Sequence, residues 1–243
     1  MNGPEAIIPI RGLNLKGDCA RDGGVVWCSC MTMLSAHKAN REYFRQAYRR
    51  GTHGWAVDIP SPYAVGFLER LSVLVPGGAL LDIGCGEGRH CFAAARLGFR
   101  VTAVDYEPLA LERARRFAKA RGIQGIAFRE ADVFRLPFPY AFFDVLLDYG
   151  CLHHQKKSAW RAYKASILRV LKPEGFYILS VFSPRFRLFR GSGRHWHIAY
   201  GAYRRCFTSE DIGDLFGRDF ETIALKEERG SEGGFWHVLM KRR

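Results

Sequence analysis

Long apolar runs are missing from this 243-residue chain. Nothing in it approaches the roughly 20 consecutive apolar residues that span a bilayer, so no membrane partner is expected. The opening Met1-Asn2-Gly3-Pro4-Glu5 lacks the basic and then apolar pattern of a secretory signal. Paired cysteines are absent as a pattern: the seven, at positions 19, 28, 30, 85, 91, 151 and 206, are odd in number and scattered. That excludes a secreted disulfide framework and points to reduced thiols in a cytoplasmic protein. A metal clip from Cys19, Cys28 and Cys30 lacks a fourth ligand and the usual spacing, so no metal site is expected. Acid is in short supply, with 24 Asp and Glu against 37 Lys and Arg, a net charge of +13. Such a balance suits nucleic acid, anionic small molecules or an acidic surface, and says nothing about fold. Two phosphate-binding signatures are also missing. There is no GxxxxGK[ST], and the glycine turn described next does not complete G-x-G-x-x-G.

The chain does contain Leu80-Leu81-Asp82-Ile83-Gly84-Cys85-Gly86-Glu87-Gly88-Arg89-His90, an apolar run ending in an acid and followed by three glycines in five residues. A short Leu and Ile run reads as a buried parallel strand, and the glycines mark a backbone that turns sharply or approaches a ligand closely. The Ala-rich stretch from His90 to Leu97 then opens a helix whose free N–H groups face that turn. Position six of the glycine pattern is Arg89, which favours a nucleoside without pyrophosphate over NAD or ATP. Phe99 to Asp105 is a second apolar strand ending in an acid, 23 residues after Asp82. An acid at that distance and position is placed to accept both hydroxyls of a ribose.

These residues resemble motifs I and II of class I S-adenosylmethionine-dependent methyltransferases: Asp82 to Gly88, then Val104-Asp105-Tyr106. The resemblance continues through Ala131-Asp132-Val133, Phe143 to Asp148 and Leu168 to Gly175, covering roughly residues 45 to 240. Glu174 departs from the pattern, where the family usually has Gly. The resemblance implies a Rossmann-like α/β fold: a seven-stranded, mostly parallel sheet with an antiparallel last strand and helices on both faces. It implies S-adenosylmethionine as cofactor, held by Asp82, Gly84, Cys85, Gly86, Gly88, Asp105 and Tyr106. Asp132 and Val133 would lie at the adenine. Near the N-terminus the pattern is closest to thiopurine and tellurite-resistance methyltransferases, in which an aromatic closes over the cofactor; Tyr48 and Trp55 fill that place here, with core packing as the alternative.

The fourth strand, from Phe143, ends in Asp148-Tyr149-Gly150-Cys151-Leu152-His153-His154. A parallel sheet binds ligands beyond the carboxyl ends of its strands, so these residues share a rim with Gly84 and Asp105. Asp148 is a candidate to hold the cofactor's ammonium or to orient the acceptor. His153 and His154 are candidate general bases near neutral pH. Cys151 reads as a small hydrophobe.

In domain terms, residues 1–35 read as a disordered extension and 36–243 as the methyltransferase domain, with helix from Asn40. Ser61-Pro62 starts a second helix whose apolar face would be Val65, Leu68, Leu71 and Leu74. The segment 183–206 is an acceptor-side insertion with six arginines, two histidines, five aromatics and no acid. Arginines among aromatics suit a flat anionic acceptor, or equally a nucleic-acid backbone with stacked bases. Thr208 caps a helix, and two final strands flank the turn Gly230 to Gly234. The expected function is methyl transfer to a small-molecule acceptor by direct displacement. The alternatives are an RNA methyltransferase and a nonenzymatic nucleoside-binding protein, and both monomer and dimer remain open.

Overall fold

The computed structural model describes residues 21–22, 25–26, 29–51, 53, 55, 59–199, 201–228 and 234–243, with side chains from His37 onward. The Cys19, Cys28 and Cys30 clip and most of the turn Gly230 to Gly234 lie outside the described residues or side chains.

Ala79–Ile83 (β1) is buried at every position, as a strand covered on both faces requires. It lies inside a seven-stranded sheet. Arg100–Asp105 (β2) and Phe143–Tyr149 (β4) pair parallel to it on either side, Ile126–Glu130 (β3) lies beyond β2, and Leu171–Phe182 (β5) beyond β4. After β5 the chain forms a hairpin, Trp196–Ala199 (β6) and Ala202–Arg205 (β7), within the insertion. Phe220–Glu227 (β8) and Phe235–Arg242 (β9) close the sheet, with β9 antiparallel to both β5 and β8. The order is β8-β9-β5-β4-β1-β2-β3. This is the expected mostly parallel sheet with its last strand reversed. In register, Ile83 faces both Val104 and Asp148, so the carboxyl ends of β1, β2 and β4 finish level at one rim.

Alternation along the strands sends successive side chains to opposite faces. Leu81, Ile83, Leu146, Leu179 and Val238 join one core, with Tyr163 and Ile167 of helix Trp160–Val170 (α5) and Phe216 of helix Ser209–Phe216 (α6). Leu80, Val101, Val145, Ile178 and Leu239 join the other. That second face is covered by Pro62–Leu74 (α2), Arg89–Arg96 (α3) and Pro108–Ala120 (α4). Helix Ser29–Arg50 (α1) caps the rim. Among the described residues no helix is long and apolar enough to cross a membrane.

Three local expectations are corrected. The first helix opens at Ser29 rather than Asn40, so residues 29–35 of the expected extension are helical. On α2 the buried stripe is Ala64, Phe67, Leu68 and Leu71; Leu74 is 57% exposed, because the core packs on the Ala64 and Phe67 side of the helix. Ser61 precedes Pro62 as expected, yet its side chain makes no cap; its backbone N–H donates to His90 Nε2 at 3.1 Å. Lys172 to Gly175 belongs to β5, as a bulge between the pairs Phe143 with Leu171 and Val145 with Phe176. Glu174 in that bulge has φ 61°, the left-handed conformation that glycine adopts without strain. The Thr208 cap is complete: its hydroxyl accepts from Asp211 N–H, and the Asp211 carboxylate accepts from Thr208 N–H.

Candidate active site

A cavity of about 690 Å³ opens at the level rim, within the size range of enclosed small-molecule sites. Its floor is the turn after β1. Gly86 has φ 55°, and a Cβ there would stand 3.0 Å from Tyr48 Oη. The Gly86 N–H donates to Asp105 Oδ2 at 2.9 Å, and Glu107 N–H donates to Asp105 Oδ1 at 2.9 Å. The second acid is thereby locked to the glycine turn with its remaining lone pairs toward the cavity. Burial raises its pKa to about 6.

Asp82 lines the same floor at 2% exposure, and its Oδ2 has no hydrogen-bond partner. Burial, and then the charges of Asp148 and Asp105, raise its pKa to about 7. A buried carboxylate oxygen without a donor calls for a cationic or donor ligand. Arg89 also reaches the cavity, its guanidinium 4.9 Å from the Tyr149 ring centroid.

Aromatic side chains from α1 and the segment after it form the roof. Trp55 Nε1 donates to Tyr48 Oη at 3.2 Å, and both residues line the cavity with Tyr43 and Phe44. Arg41 lies 5.1 Å from the ring centroid of Tyr106 on the side wall. Asn40 ties the roof down: its amide donates to the His154 carbonyl at 2.6 Å, and its Oδ1 accepts from Tyr203 N–H at 2.8 Å.

Two neighbouring histidines differ in tautomer. His153 Nδ1 accepts from Phe182 N–H at 3.3 Å, which places its proton on Nε2 in the neutral ring. His154 Nδ1 donates to the Tyr203 carbonyl at 2.9 Å, which leaves the lone pair on Nε2. His154 is therefore the one arranged to accept a proton. Burial lowers its pKa to about 4, and burial, with His154 and Arg204 beside it, holds that of His153 well below the ordinary imidazole range. Cys151 lines the cavity as a thiol whose pKa is pushed well up by burial.

Of the residues singled out from the sequence, Tyr48, Trp55, Asp82, Gly84, Cys85, Gly86, Asp105, Tyr106, Val133, His153 and His154 line this one cavity. Three do not. Gly88 is turned into the protein, where a Cβ would meet the Phe92 ring at 2.7 Å. Asp132 caps a short 3₁₀ turn, accepting from Phe134 N–H at 3.0 Å, and contacts His37 Nε2 at 2.7 Å. Burial pushes its pKa up, but these two hydrogen bonds outweigh it and hold the carboxyl below its ordinary range. Asp148 is fully buried and has four donors: Cys151 N–H, Leu152 N–H, Tyr163 Oη and Tyr177 Oη. It lies under the rim and is not among the residues that line the cavity.

Tyr149 of the rim and Phe186 of the insertion line the cavity too, and sequence reading missed Tyr43, Phe44, Phe182 and Phe235, which also line it. Their signal was an aromatic at each strand end or helix face beside a motif. The insertion's arginines are mostly engaged by the protein itself. Arg185 pairs with Glu227 at 2.9 Å, Arg205 faces Asp211 at 3.7 Å, and Arg204 donates to the Ala199 carbonyl and Tyr43 Oη.

Residues 80–175 match the family described as a methyltransferase domain. The matched residues form a class I S-adenosylmethionine-dependent methyltransferase domain. The matched stretch runs from β1 into β5 and stops before the insertion. A 2-heptyl-1-hydroxyquinolin-4(1H)-one methyltransferase of Mycobacteroides abscessus is 28% identical over 128 residues, 53% of this chain and 55% of that protein. An EEF1A lysine methyltransferase 2 of Danio rerio is 30% identical over 130 residues, 46% of this chain and 56% of its own length. The chain thus spans about half the length of these curated relatives. Among solved structures, a Burkholderia thailandensis 1,6-didemethyltoxoflavin-N1-methyltransferase, bound to 1,6-didemethyltoxoflavin and S-adenosylhomocysteine, is similar over 93% of this chain and 94% of its own, at 26% identity and TM-score 0.71. The cofactor half is common to proteins named for quite different acceptors, so the acceptor must be read from the rest of the cavity.

The residues of this methyltransferase domain fit its cofactor. The orphaned Asp82 oxygen matches an ammonium, the lone pairs of Asp105 match vicinal hydroxyls, and the cradle at Gly86 is one that a Cβ would fill.

Proposed function

We propose that this chain transfers a methyl group from S-adenosylmethionine to a small, flat acceptor. The observation that carries this reading is the joining, in one cavity, of an acid-lined glycine turn to an aromatic wall. Asp105 would hold the ribose, Tyr106 and Val133 the adenine, Asp82 the ammonium and Arg89 the carboxylate of the methionine part. Tyr48 and Trp55 would close over it. When bound, the cofactor supplies an activated methyl whose C–S bond breaks as the acceptor lone pair bonds to carbon, the electron pair returning to sulfur. The chain's own residues then have to align the acceptor and exclude water. Alignment of that kind is worth about 7–11 kcal/mol in favourable cases. Where the acceptor atom carries a proton, His154 Nε2 is the group oriented to take it.

Flatness of the acceptor is supported by the ring ladder that borders the cavity. His153 stacks on Phe182 with centroids 3.6 Å apart, and Phe182 on Phe186 at 4.0 Å. The hydroxyquinolone and toxoflavin named in two of the related proteins are of the same shape. The engagement of Arg185, Arg204 and Arg205 by protein groups favours this reading over one in which the insertion grips an RNA backbone. The test is incubation with labelled S-adenosylmethionine and a panel of hydroxylated and nitrogen-containing bicyclic aromatics. Label transferred to any of them, and lost in Asp105→Ala, supports the reading; turnover only on a protein or RNA substrate overturns it.

A further inference from the structure

The carboxylates around the cavity sort by position in the chain, Arg89 being the one lining cation on their side, and this sorting, taken with the methyl-transfer reading, bears on the acceptor's charge. The carboxylates among the lining residues, Asp82, Glu87 and Asp105, all come from the ends of β1 and β2. Glu87 is already balanced by Arg113 at 3.0 Å. From Phe182 onward the described lining residues include no acid and two cations, Arg187 and Arg204. Arg204 is 9% exposed and spends its donors on carbonyls and Tyr43 Oη, so it holds the wall. Arg187 is different: it is exposed at the cavity mouth and has no hydrogen bond or ion pair among the described residues. It directly follows Phe186, the outer layer of the His153, Phe182 and Phe186 stack.

We propose that the acceptor is a planar aromatic anion, its ring packed on the Phe186 side of the stack and its negative group held by the Arg187 guanidinium. A guanidinium offers paired coplanar donors that match a carboxylate or an aryloxide, and it also stacks beside a flat ring.

The experiment is calorimetric titration of 4-hydroxyquinoline-2-carboxylate and its neutral 2-carboxamide into the protein with saturating S-adenosylhomocysteine, on wild type, Arg187→Lys and Arg187→Gln. The carboxylate is expected to bind about tenfold tighter or more, as a charge-assisted pair implies. The preference should shrink in Arg187→Lys and fall below about threefold in Arg187→Gln. Equal binding of the two probes, binding of neither, or a preference that survives in Arg187→Gln overturns the inference. The S-adenosylhomocysteine titration reports the cofactor half separately. If that half binds and the charge preference is absent, only the anionic acceptor falls; if it does not bind, the methyl-transfer reading falls and takes this inference with it.

Discussion

Tyr163 Oη donates to Asp148 Oδ2 at 2.6 Å, deep under the cavity floor. That contact, with three further donors, turns an acid at a strand end on the ligand rim into part of the core. Tyr163 packs from α5, so the hydrogen bond also ties α5 to the end of β4.

Tyr163→Phe removes one donor from a buried carboxylate and leaves the ring in place. It should cost about 1.5–3 kcal/mol of stability, the range for hydrogen bonds to charged groups. Cofactor affinity should stay within about twofold, since Asp148 does not line the cavity. Urea unfolding and calorimetry check both halves. Unchanged stability with weakened cofactor binding would restore Asp148 to the site.

Asp82 should make cofactor binding pH-dependent. Its pKa of about 7 in the fold exceeds that of a free carboxyl, so the folded state holds a proton that the unfolded chain gives up near pH 4. Stability from this group is therefore full below about pH 4 and falls as pH rises toward 7. Asp105 and Asp148, each at about 6, act in the same direction. A ligand ammonium beside Asp82 reverses the preference and expels the proton. Titrations near pH 6 in buffers of different ionisation enthalpy should show proton release on binding S-adenosylhomocysteine, reduced in Asp82→Asn. Release of equal size in that variant would show that the ammonium lies elsewhere.

Gly86→Ala places a methyl 3.0 Å from Tyr48 Oη and a non-glycine residue at φ 55°. The backbone strain is about 1–2 kcal/mol. The displaced Tyr48 should loosen the roof and weaken cofactor binding about tenfold or more, equivalent to roughly 1.4 kcal/mol. A variant that binds as tightly as wild type would mean that the turn does not carry the ligand.

Asn40→Ala leaves the His154 carbonyl and the Tyr203 N–H without their partner and frees the roof helix from the insertion. An orphaned buried group costs about 1–3 kcal/mol, and here the loss should be local. Hydrogen exchange of α1 amides should quicken while β1, β4 and β5 keep their protection. Uniform quickening across the sheet would mean that α1 is integral to the core and not a separable roof.

The sequence was most readable where chemistry is local. Asp82, Gly84 and Gly86 form one strand-to-turn unit, and Asp105 ends the next strand, so periodicity and glycine placement reach them. It was least readable where a side chain's partner is remote. Asp132 looked available because His37, its partner, lies 95 residues away. Asp148 looked available because Tyr163 and Tyr177 come from α5 and β5. The insertion's arginines looked free for the same reason: Glu227, which engages Arg185, is 42 residues downstream on β8. The buried face of α2 was misjudged because Leu68 and Leu71 are shared by two adjacent stripes, and only the sheet beneath decides between Val65 with Leu74 and Ala64 with Phe67.

The most direct test of the central claim is calorimetric titration with S-adenosylmethionine of the wild type and of Asp105→Ala, with thermal unfolding to confirm that both are folded. Saturable binding to the wild type, weakened about a hundredfold or more in the variant, is the predicted result. A folded wild type that binds no S-adenosylmethionine, or a variant that binds it equally well, would contradict the assignment of this cavity.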